Sequence, residues 1–189
     1  MKKVFFFFCF LTIVLVSQAQ TGVKLPALDK SPMDMAYYPP NYPVLRIQDK
    51  ATEPLTARVI YSRPQKNGRN IFGELVEYEQ VWRLGANEAT EIEFFKDVKI
   101  GNKKIAKGKY TMYAVVHPTS WDIILNKDTD IWGAFKYDST KDVVRINVPV
   151  QKTTDVADAF TITFAKSATG ADLIMAWDNI MAALPIAFK

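Results

Sequence analysis

Residues 109–116, KYTMYAVV, decide the fold class, because apolar side chains in this stretch recur at every second position. The residues that share one face are Tyr110, Met112, Ala114 and Val116. Successive side chains of a β-strand point to opposite faces of a sheet, so this period of two indicates a strand with one buried face. Further stretches with the same alternation are 90–95 (TEIEFF), 120–126 (SWDIILN) and 160–164 (FTITF). All of them predict half-buried strands.

Turn-forming residues separate these strands at short intervals. Gly101-Asn102 lies between VKI and KKI, where glycine accepts the positive φ of a two-residue hairpin. Further turns are expected at Lys107-Gly108, at residues 138–140 and at Thr169-Gly170. Many short strands without a long helical period predict an all-β fold, a single antiparallel and jelly-roll-like β-sandwich.

One short helix is expected beside this sandwich. Residues 74–82, ELVEYEQVW, place Leu75, Tyr78 and either Val81 or Trp82 at helical spacing. We expect such a helix to plug one corner of the domain.

The first residues have the order of a secretory signal peptide. Lys2 and Lys3 precede an apolar run over residues 4–16, and the small residues Ser17 and Ala19 precede the expected cleavage. The run is short for a transmembrane helix, which needs about 20 apolar residues. Residues 1–19 are therefore predicted to direct export to the periplasm or the exterior, with no membrane span left after their removal.

The remaining chain divides by composition into two parts. Residues 20–51 form a Pro/Tyr-rich strap or linker, with five prolines between Pro26 and Pro43. Residues 52–189 carry the strand pattern and form the sandwich domain. Cys9 is the one cysteine and falls in the predicted leader, so no disulfide is expected and the core must supply the stability.

Charge excludes some classes of partner. Two of the 24 basic residues lie in the leader, which leaves 22 against 20 acidic residues, spread along the chain. This balance lacks the basic footprint of a nucleic-acid-binding protein. No cofactor is expected, and the sequence assigns no oligomeric state.

Residues suited to catalysis or metal binding are few. His117 precedes Pro118 at a strand end and is interpreted as a turn residue, since no nucleophile elbow accompanies it. Asn126, Asp128 and Asp130 alternate like the start of a calcium loop, but the required glycine and the closing glutamate are absent, so no metal is expected and calcium is only the weaker alternative. The carboxylates left for a glycosidase-like hydrolase are Glu88, Glu91, Asp128, Asp130 and Asp138.

The four tryptophans divide into core and surface candidates. Trp121 and Trp177 fall on apolar faces and are expected in the core. Trp132 precedes a glycine in a polar loop and is the candidate for stacking on a ligand, although burial is an alternative for it too.

Five ordered blocks resemble one protein family. They are YSRPQKNGRNIFGELV (61–76), VWRLGANEAT (81–90), IAKGKYTMYAV (105–115), ILNKDTDIWGAFKYD (124–138) and MAWDN (175–179). Over residues 52–187 the chain resembles the "domain of unknown function 2911", a group of exported proteins of Gram-negative bacteria. The resemblance implies a single β-rich domain and brings no assigned activity, substrate or cofactor. The polar positions that match the family include Arg63, Arg69, Arg83, Asn87, Asn126, Lys127 and Trp132.

Two interpretations of these residues stay open. In a structural corner, Arg63, Arg69 and Arg83 would bind carbonyl groups at strand ends, and Arg83 with Asn87 would satisfy the turn backbone. In a binding site, the loops around 63–73, 81–88 and 126–133 would gather at one end and hold a glycan or another envelope ligand. The working hypothesis is non-catalytic binding through Arg63, Arg69, Arg83, Asn87, Asn126, Lys127 and Trp132. A hydrolase and a structural or interaction protein remain the alternatives.

Overall fold

The computed structural model describes residues 22–188, so the predicted signal peptide lies outside the described residues. Ten strands of these residues pair antiparallel, and three of the central neighbours are Glu91–Phe94, Gly108–Val116 and Ser120–Asn126. This arrangement confirms the predicted all-β sandwich. Within residues 22–188, no helix is long and apolar enough to cross a membrane.

The elements have the following bounds, in chain order: β1 Met33–Tyr38, α1 Tyr42–Ile47, β2 Ala57–Ser62, β3 Val81–Trp82, β4 Glu91–Phe94, β5 Val98–Ile100, β6 Lys103–Ile105, β7 Gly108–Val116, β8 Ser120–Asn126, a 3₁₀ turn Ser139–Lys141, β9 Asp142–Lys166 and β10 Gly170–Phe188.

The long strand β9 joins the two layers of the sandwich. Its residues 142–149 pair with β8, and its residues 150–166 pair with β10. The first layer contains β1, β2, β4, β7 and β8, and the second contains β10, β5 and β6. The apolar faces predicted for residues 92–94, 110–116, 121–125 and 160–164 all contribute to the core between these layers.

Strands β7 and β8 are also covered on their outer face. Tyr113, Val115 and Ile124 form a second apolar cluster there with Ala89, and Ile131 and Tyr137 of the following loop pack on it. The loop over residues 127–138 is thus held against the sheet by apolar contacts. A period of two indicates one buried face. Because both faces of β7 are apolar, the pattern did not predict this second layer of burial.

Part of the predicted strap forms an edge strand. β1 pairs with β2 from Met33↔Ser62 to Tyr38↔Ala57. Tyr38 is 4% exposed, packs on Phe164 and Phe188, and donates a hydrogen bond to the carbonyl of Gly170 at 3.2 Å. This segment therefore contributes to the core.

The predicted helix over residues 74–82 was wrong. The segment forms turns followed by β3, and Glu79 adopts φ 63°, a left-handed conformation that ends any helical run. Leu75 and Tyr78 are exposed at 45% and 38%, so their helical spacing does not mark a buried face. The helix lies instead at Tyr42–Ile47, where Pro43 occupies the first turn, the position at which proline is tolerated.

The end of β10 lies close to Gly170, the first residue of the same strand, and this contact leads to a prediction about stability. A Cβ atom on Gly170 would lie 2.3 Å from the carbonyl oxygen of Ile186 and 2.9 Å from the amide nitrogen of Phe188. We expect Gly170→Ala to lower the free energy of unfolding by about 1–3 kcal/mol, because the backbone must move to admit the methyl group. Urea denaturation measures this loss. Gly22→Ala is the matched control, since a Cβ there meets nothing within 4 Å. Equal stability of the two variants would contradict the prediction.

Candidate functional site

The stretch VWRLGANEAT forms a strained turn after β3. Leu84, Gly85 and Asn87 have φ values of 51°, 155° and 56°, and Leu84 is fully buried. A Cβ atom on Gly85 would lie 3.0 Å from the carbonyl oxygen of Ser62, which makes glycine the fitting residue at this position.

The backbone carbonyls of this turn accept hydrogen bonds from Trp82 and Thr90, and not from the predicted side chains of Arg83 and Asn87. Trp82 Nε1 donates to the carbonyl of Gly85 at 3.2 Å, and Thr90 binds the carbonyl of Leu84 through its hydroxyl and that of Arg83 through its amide. The prediction that Arg83 and Asn87 tie the turn backbone was therefore wrong. Both side chains are left for other roles.

Arg83 is a half-buried cation that forms no ion pair within residues 22–188. Within the described part of the chain, its Nε atom is buried and has no hydrogen-bond acceptor. Burial lowers the pKa of Arg83, and no carboxylate among residues 22–188 offsets that effect. A buried N–H without a partner costs about 1–3 kcal/mol. The free energy of folding therefore includes an unfavourable contribution from Arg83 that no contact within residues 22–188 offsets.

Trp177 presents a second donor without a partner. The side chain is 1% exposed, and its Nε1 atom has no acceptor among residues 22–188. The register of β10 against β9 shifts between Ala176 and Asp178 and again before Ile180, with Asp178 at φ 54°. Such bulges re-aim side chains and are frequent beside functional sites. The acid next to Trp177 is already used, because Asp178 pairs with Lys66 at 2.6 Å.

Arg83 and Trp177 both line one cavity. It has a volume of about 190 Å³, and its lining also includes Arg69, Leu75, Val76 and Trp82. Three buried side-chain nitrogens lack partners in the described residues, and two of them belong to this lining. The lining contains two arginines and no acidic residue. We call this space the Arg83 cavity.

The wall of the Arg83 cavity is continuous with the aromatic core. The Trp82 and Trp177 rings lie nearly parallel with centroids 6.0 Å apart, and Trp82 meets Trp121 edge-on at 5.8 Å. Phe160 also packs on Trp82, at 5.1 Å. Large aromatic side chains packed in this way hold one another in place, so the cavity is preformed.

A second cavity lies on the other side of Arg83. It has a volume of about 240 Å³, shares Leu75, Val76, Trp82 and Arg83 with the first, and is completed by Glu77, Gln80 and Val81. We call it the Gln80 cavity. Arg83 therefore stands between two spaces open to a ligand.

Only two of the three predicted arginines meet at this place. Arg69 lines the Arg83 cavity, and its guanidinium donates to the carbonyls of Lys66 and Gln65. Arg63 lies instead in a separate 380 Å³ cavity beside β1, where it pairs with Asp34 at 2.9 Å. It also donates to the carbonyl of Phe160 and to the hydroxyl of Thr161. Arg63 fits the structural interpretation, because it ties β2 to β9.

The structure places Asn126 and Lys127 away from this cavity. Asn126 is 1% exposed and donates to the carbonyl of Asp138 and to the carboxylate of Asp142, while its own oxygen accepts the amide of Asp128. It is a buried structural amide. Lys127 is exposed, and its amide donates to the carbonyl of Lys141.

The alternative calcium site finds its ligands already engaged. Asp128 pairs with Lys141 at 2.8 Å and Asp130 with Lys109 at 2.7 Å, in addition to the contacts of Asn126. Within residues 22–188, no group of three acidic or histidine side chains is arranged to hold a metal ion.

Trp132 and Asn87 lie in neighbouring loops, and neither lines the cavities next to Arg83. Trp132 is 61% exposed and stacks on Phe135, with the ring centroids 6.0 Å apart. Its loop is held through a bridge to Glu88 and through the amide of Gly133, which donates to the carbonyl of Asn87. Trp132 is thus exposed, as expected for a stacking residue, but it lines neither cavity next to Arg83.

Three of the five candidate carboxylates line one cleft. Glu88, Glu91 and Asp130 border a 240 Å³ cavity beside Met33 and Ile60. Lys109 binds Glu91 at 3.1 Å and Asp130 at 2.7 Å. The hydrogen bond from Lys109 lowers the pKa of Asp130, whereas a glycosidase acid needs a raised pKa. Lys109 therefore neutralises Glu91 and Asp130, and the lowered pKa of Asp130 does not suit a residue that donates a proton in catalysis.

His117 is held between two carboxylates at the end of β7. Its Nδ1 atom lies 2.6 Å from Glu79 and its Nε2 atom 3.6 Å from Asp122. The hydrogen bond to Glu79 raises the pKa of His117, and the charge of Asp122 adds to the effect. The residue forms a local electrostatic tie, consistent with its interpretation as a turn histidine.

This contact predicts a pH dependence of stability. The folded-state pKa lies above the unfolded value of about 6.5, so the tie contributes fully below about pH 6.5 and is lost as pH rises through the folded pKa. We expect wild type to lose stability relative to His117→Gln over this window, as measured by urea denaturation at each pH. Because the chain has one histidine, NMR titration of its ring gives the folded pKa directly. A folded pKa at or below about 6.5 would contradict the prediction.

The sequence pointed to the two arginines but missed their aromatic partner. Trp177 belongs to the block MAWDN and was interpreted only as a core residue. Its role at the cavity depends on a bulge and on an unpartnered indole nitrogen, and neither leaves a periodic signal. Asp178, a polar residue at the end of an apolar strand face, is the one sequence feature that indicates the irregularity.

Comparison with known proteins identifies a family and nothing closer. A family model described as "Protein of unknown function (DUF2911)" matches residues 45–186. No curated protein and no solved structure matches the chain.

Proposed function

Because the chain belongs to the DUF2911 family of proteins of unknown function, its role must be read from its own cavities, and we propose that it binds a small envelope ligand, such as a glycan fragment, without catalysis. The observation that carries this proposal is the Arg83 cavity, where Arg83, which forms no ion pair within the described residues, lies beside two stacked tryptophans. Ligand sites are concave and combine apolar walls with a few polar groups that orient the ligand. The cavity has apolar walls formed by Leu75, Val76 and the two tryptophans, and polar side chains from Arg69 and Arg83.

The arrangement of donors favours a binding role over a structural one. A structural corner would have its arginines paired, as Arg63 is with Asp34. Arg83 instead forms no ion pair within the described residues and lines the cavity, where a bound acceptor would pair with the accessible end of its guanidinium. The cavity of about 190 Å³ suits one sugar ring or a group of similar size.

Export of the protein is part of this proposal. The leader over residues 1–19 supports delivery to the periplasm or the exterior, where envelope glycans are found. Mass spectrometry of the protein from a native host should show an N-terminus near Gln20. A protein that retains Met1 in the cytoplasmic fraction would contradict export.

Thermal unfolding of the purified protein tests the binding role. The panel comprises envelope glycan fragments, sugar acids, neutral monosaccharides and calcium. A ligand at 100 times its dissociation constant adds about 2.7 kcal/mol to the free energy of unfolding. We expect a stabilising ligand in the sugar classes.

Two variants locate the site. Ala86→Trp places a large ring on a half-exposed residue of the lining and should abolish stabilisation by any ligand, charged or neutral. Trp132→Ala removes an exposed aromatic side chain elsewhere and should leave the stabilisation intact. If no sugar stabilises wild type, or if Trp132→Ala alone abolishes the effect, the proposed function is wrong.

A further inference from the structure

The electrostatic character of the Arg83 cavity narrows the ligand class. Its lining has Arg69 and Arg83 and no acidic residue, and no acidic residue among those described pairs with Arg83. The nearest carboxylate in sequence to Trp177, that of Asp178, is bound by Lys66. The cavity therefore offers uncompensated positive charge in a partly desolvated place.

The donors also have a fixed geometry. A guanidinium is planar and presents its N–H groups as a fork that matches two oxygens of a carboxylate or a phosphate. A neutral hydroxyl would satisfy one donor at a time, whereas an oxyanion satisfies several and neutralises the charge.

Resting on the proposed function above, we infer that the ligand carries an oxyanion, a carboxylate or a phosphate, which binds Arg83 from within the Arg83 cavity, since Glu77 lines the Gln80 cavity and no described acidic residue lines the Arg83 cavity. The compact body of the ligand lies in the Arg83 cavity against Leu75, Val76 and Trp82. Any further part of the ligand extends into the Gln80 cavity, which shares the Arg83 wall. Arg69, already bound to two carbonyls, adds long-range attraction at the rim.

Matched ligands test this inference. Glucuronate, glucose 6-phosphate and glucose share one sugar ring and differ in the anionic group, so calorimetric titration of the purified protein isolates the contribution of that group. We expect at least one of the two anions to bind at least about tenfold more tightly than glucose. The comparison of carboxylate with phosphate then identifies which oxyanion the site takes.

Arg83→Gln provides the residue-level test. This variant keeps a polar side chain of similar length, and we expect it to lose the preference for the anion over glucose. Lys127→Gln removes the same charge from an exposed position outside the cavity and should keep the preference. Circular dichroism verifies that both variants are folded.

The outcomes separate this inference from the proposed function. Equal affinity for glucose and the anions, or an anion preference that survives Arg83→Gln, overturns the inference and leaves the binding role in place. Failure of both anions to bind at about 10 mM also overturns the inference. The binding role itself fails if no sugar of the wider panel stabilises the protein, or if Trp132→Ala alone abolishes the stabilisation.

Discussion

Trp121→Ala is expected to lower the free energy of unfolding by about 3–5 kcal/mol, the largest loss that we predict for a single residue. Trp121 is 1% exposed and packs against Phe72 at 5.2 Å and Trp82 at 5.8 Å between ring centroids. Removing the indole leaves a void that these neighbours cannot fill without moving. Since Trp82 forms a wall of the Arg83 cavity, the same change should weaken ligand binding.

Urea denaturation and thermal unfolding measure this effect. For a chain of this size, the expected loss corresponds to a fall in Tm of roughly 6–20 °C. Trp132→Ala is the matched control, because Trp132 is 61% exposed and its loss should change stability by less than about 0.5 kcal/mol. A loss below about 1 kcal/mol for Trp121→Ala would show that the aromatic cluster is not the centre of the core.

Arg83→Met, unlike Trp121→Ala, should not destabilise the protein, and it should strongly weaken anion binding. Methionine occupies a similar volume without the buried N–H that lacks a partner, so we expect stability equal to wild type or higher by up to about 1–3 kcal/mol. The anion preference depends on the guanidinium. Loss of a buried charged partner costs about 2–5 kcal/mol of binding, so affinity for the anion should fall about 30-fold or more.

Arg63→Met is the matched control for Arg83→Met. The substitution is the same, but Arg63 pairs with Asp34 at 2.9 Å and donates to Phe160 and Thr161. Its removal leaves several acceptors unsatisfied and should cost about 1–3 kcal/mol of stability. If Arg83→Met destabilises the protein as much as Arg63→Met does, Arg83 is a structural residue and the binding site lies elsewhere.

The strands were predictable because burial imposes a period of two. Residues 92–94, 110–116, 121–125 and 160–164 show the alternation in sequence and the same faces in the core. The Gly101-Asn102 turn was predictable as well, since β5 and β6 form the expected hairpin. Local backbone chemistry was sufficient for both features.

The helix over residues 74–82 shows where pattern reasoning fails. Leu75 and Tyr78 have helical spacing, yet the chain turns at Glu79 with φ 63° to place Trp82 in the core. Tertiary packing of Trp82 with Phe160 and Trp177 outweighs local helical preference. A single sequence does not reveal that packing.

The structure brings only some of the candidate binding residues together. Arg69 and Arg83 were expected to gather, and both line the Arg83 cavity, whereas Arg63, Asn126 and Trp132 lie elsewhere. Those three share the polar or aromatic character of a binding residue, but their contacts are set by strand pairing over long sequence separations. Partners at such separation, including Trp177, become visible only in the fold.

The four indole groups allow the most direct test of the central claim, that the Arg83 cavity is the ligand site. Trp82, Trp121, Trp132 and Trp177 each give one indole N–H signal in an NMR spectrum of the ¹⁵N-labelled protein, and single Trp→Phe variants assign them. On titration with glucuronate or glucose 6-phosphate, whichever binds more tightly, we expect a large shift of the Trp177 signal, because the Trp177 side chain lines the Arg83 cavity, and little change at Trp132. A Trp177 signal that stays fixed while Trp132 moves, or four unchanged signals, would contradict the claim.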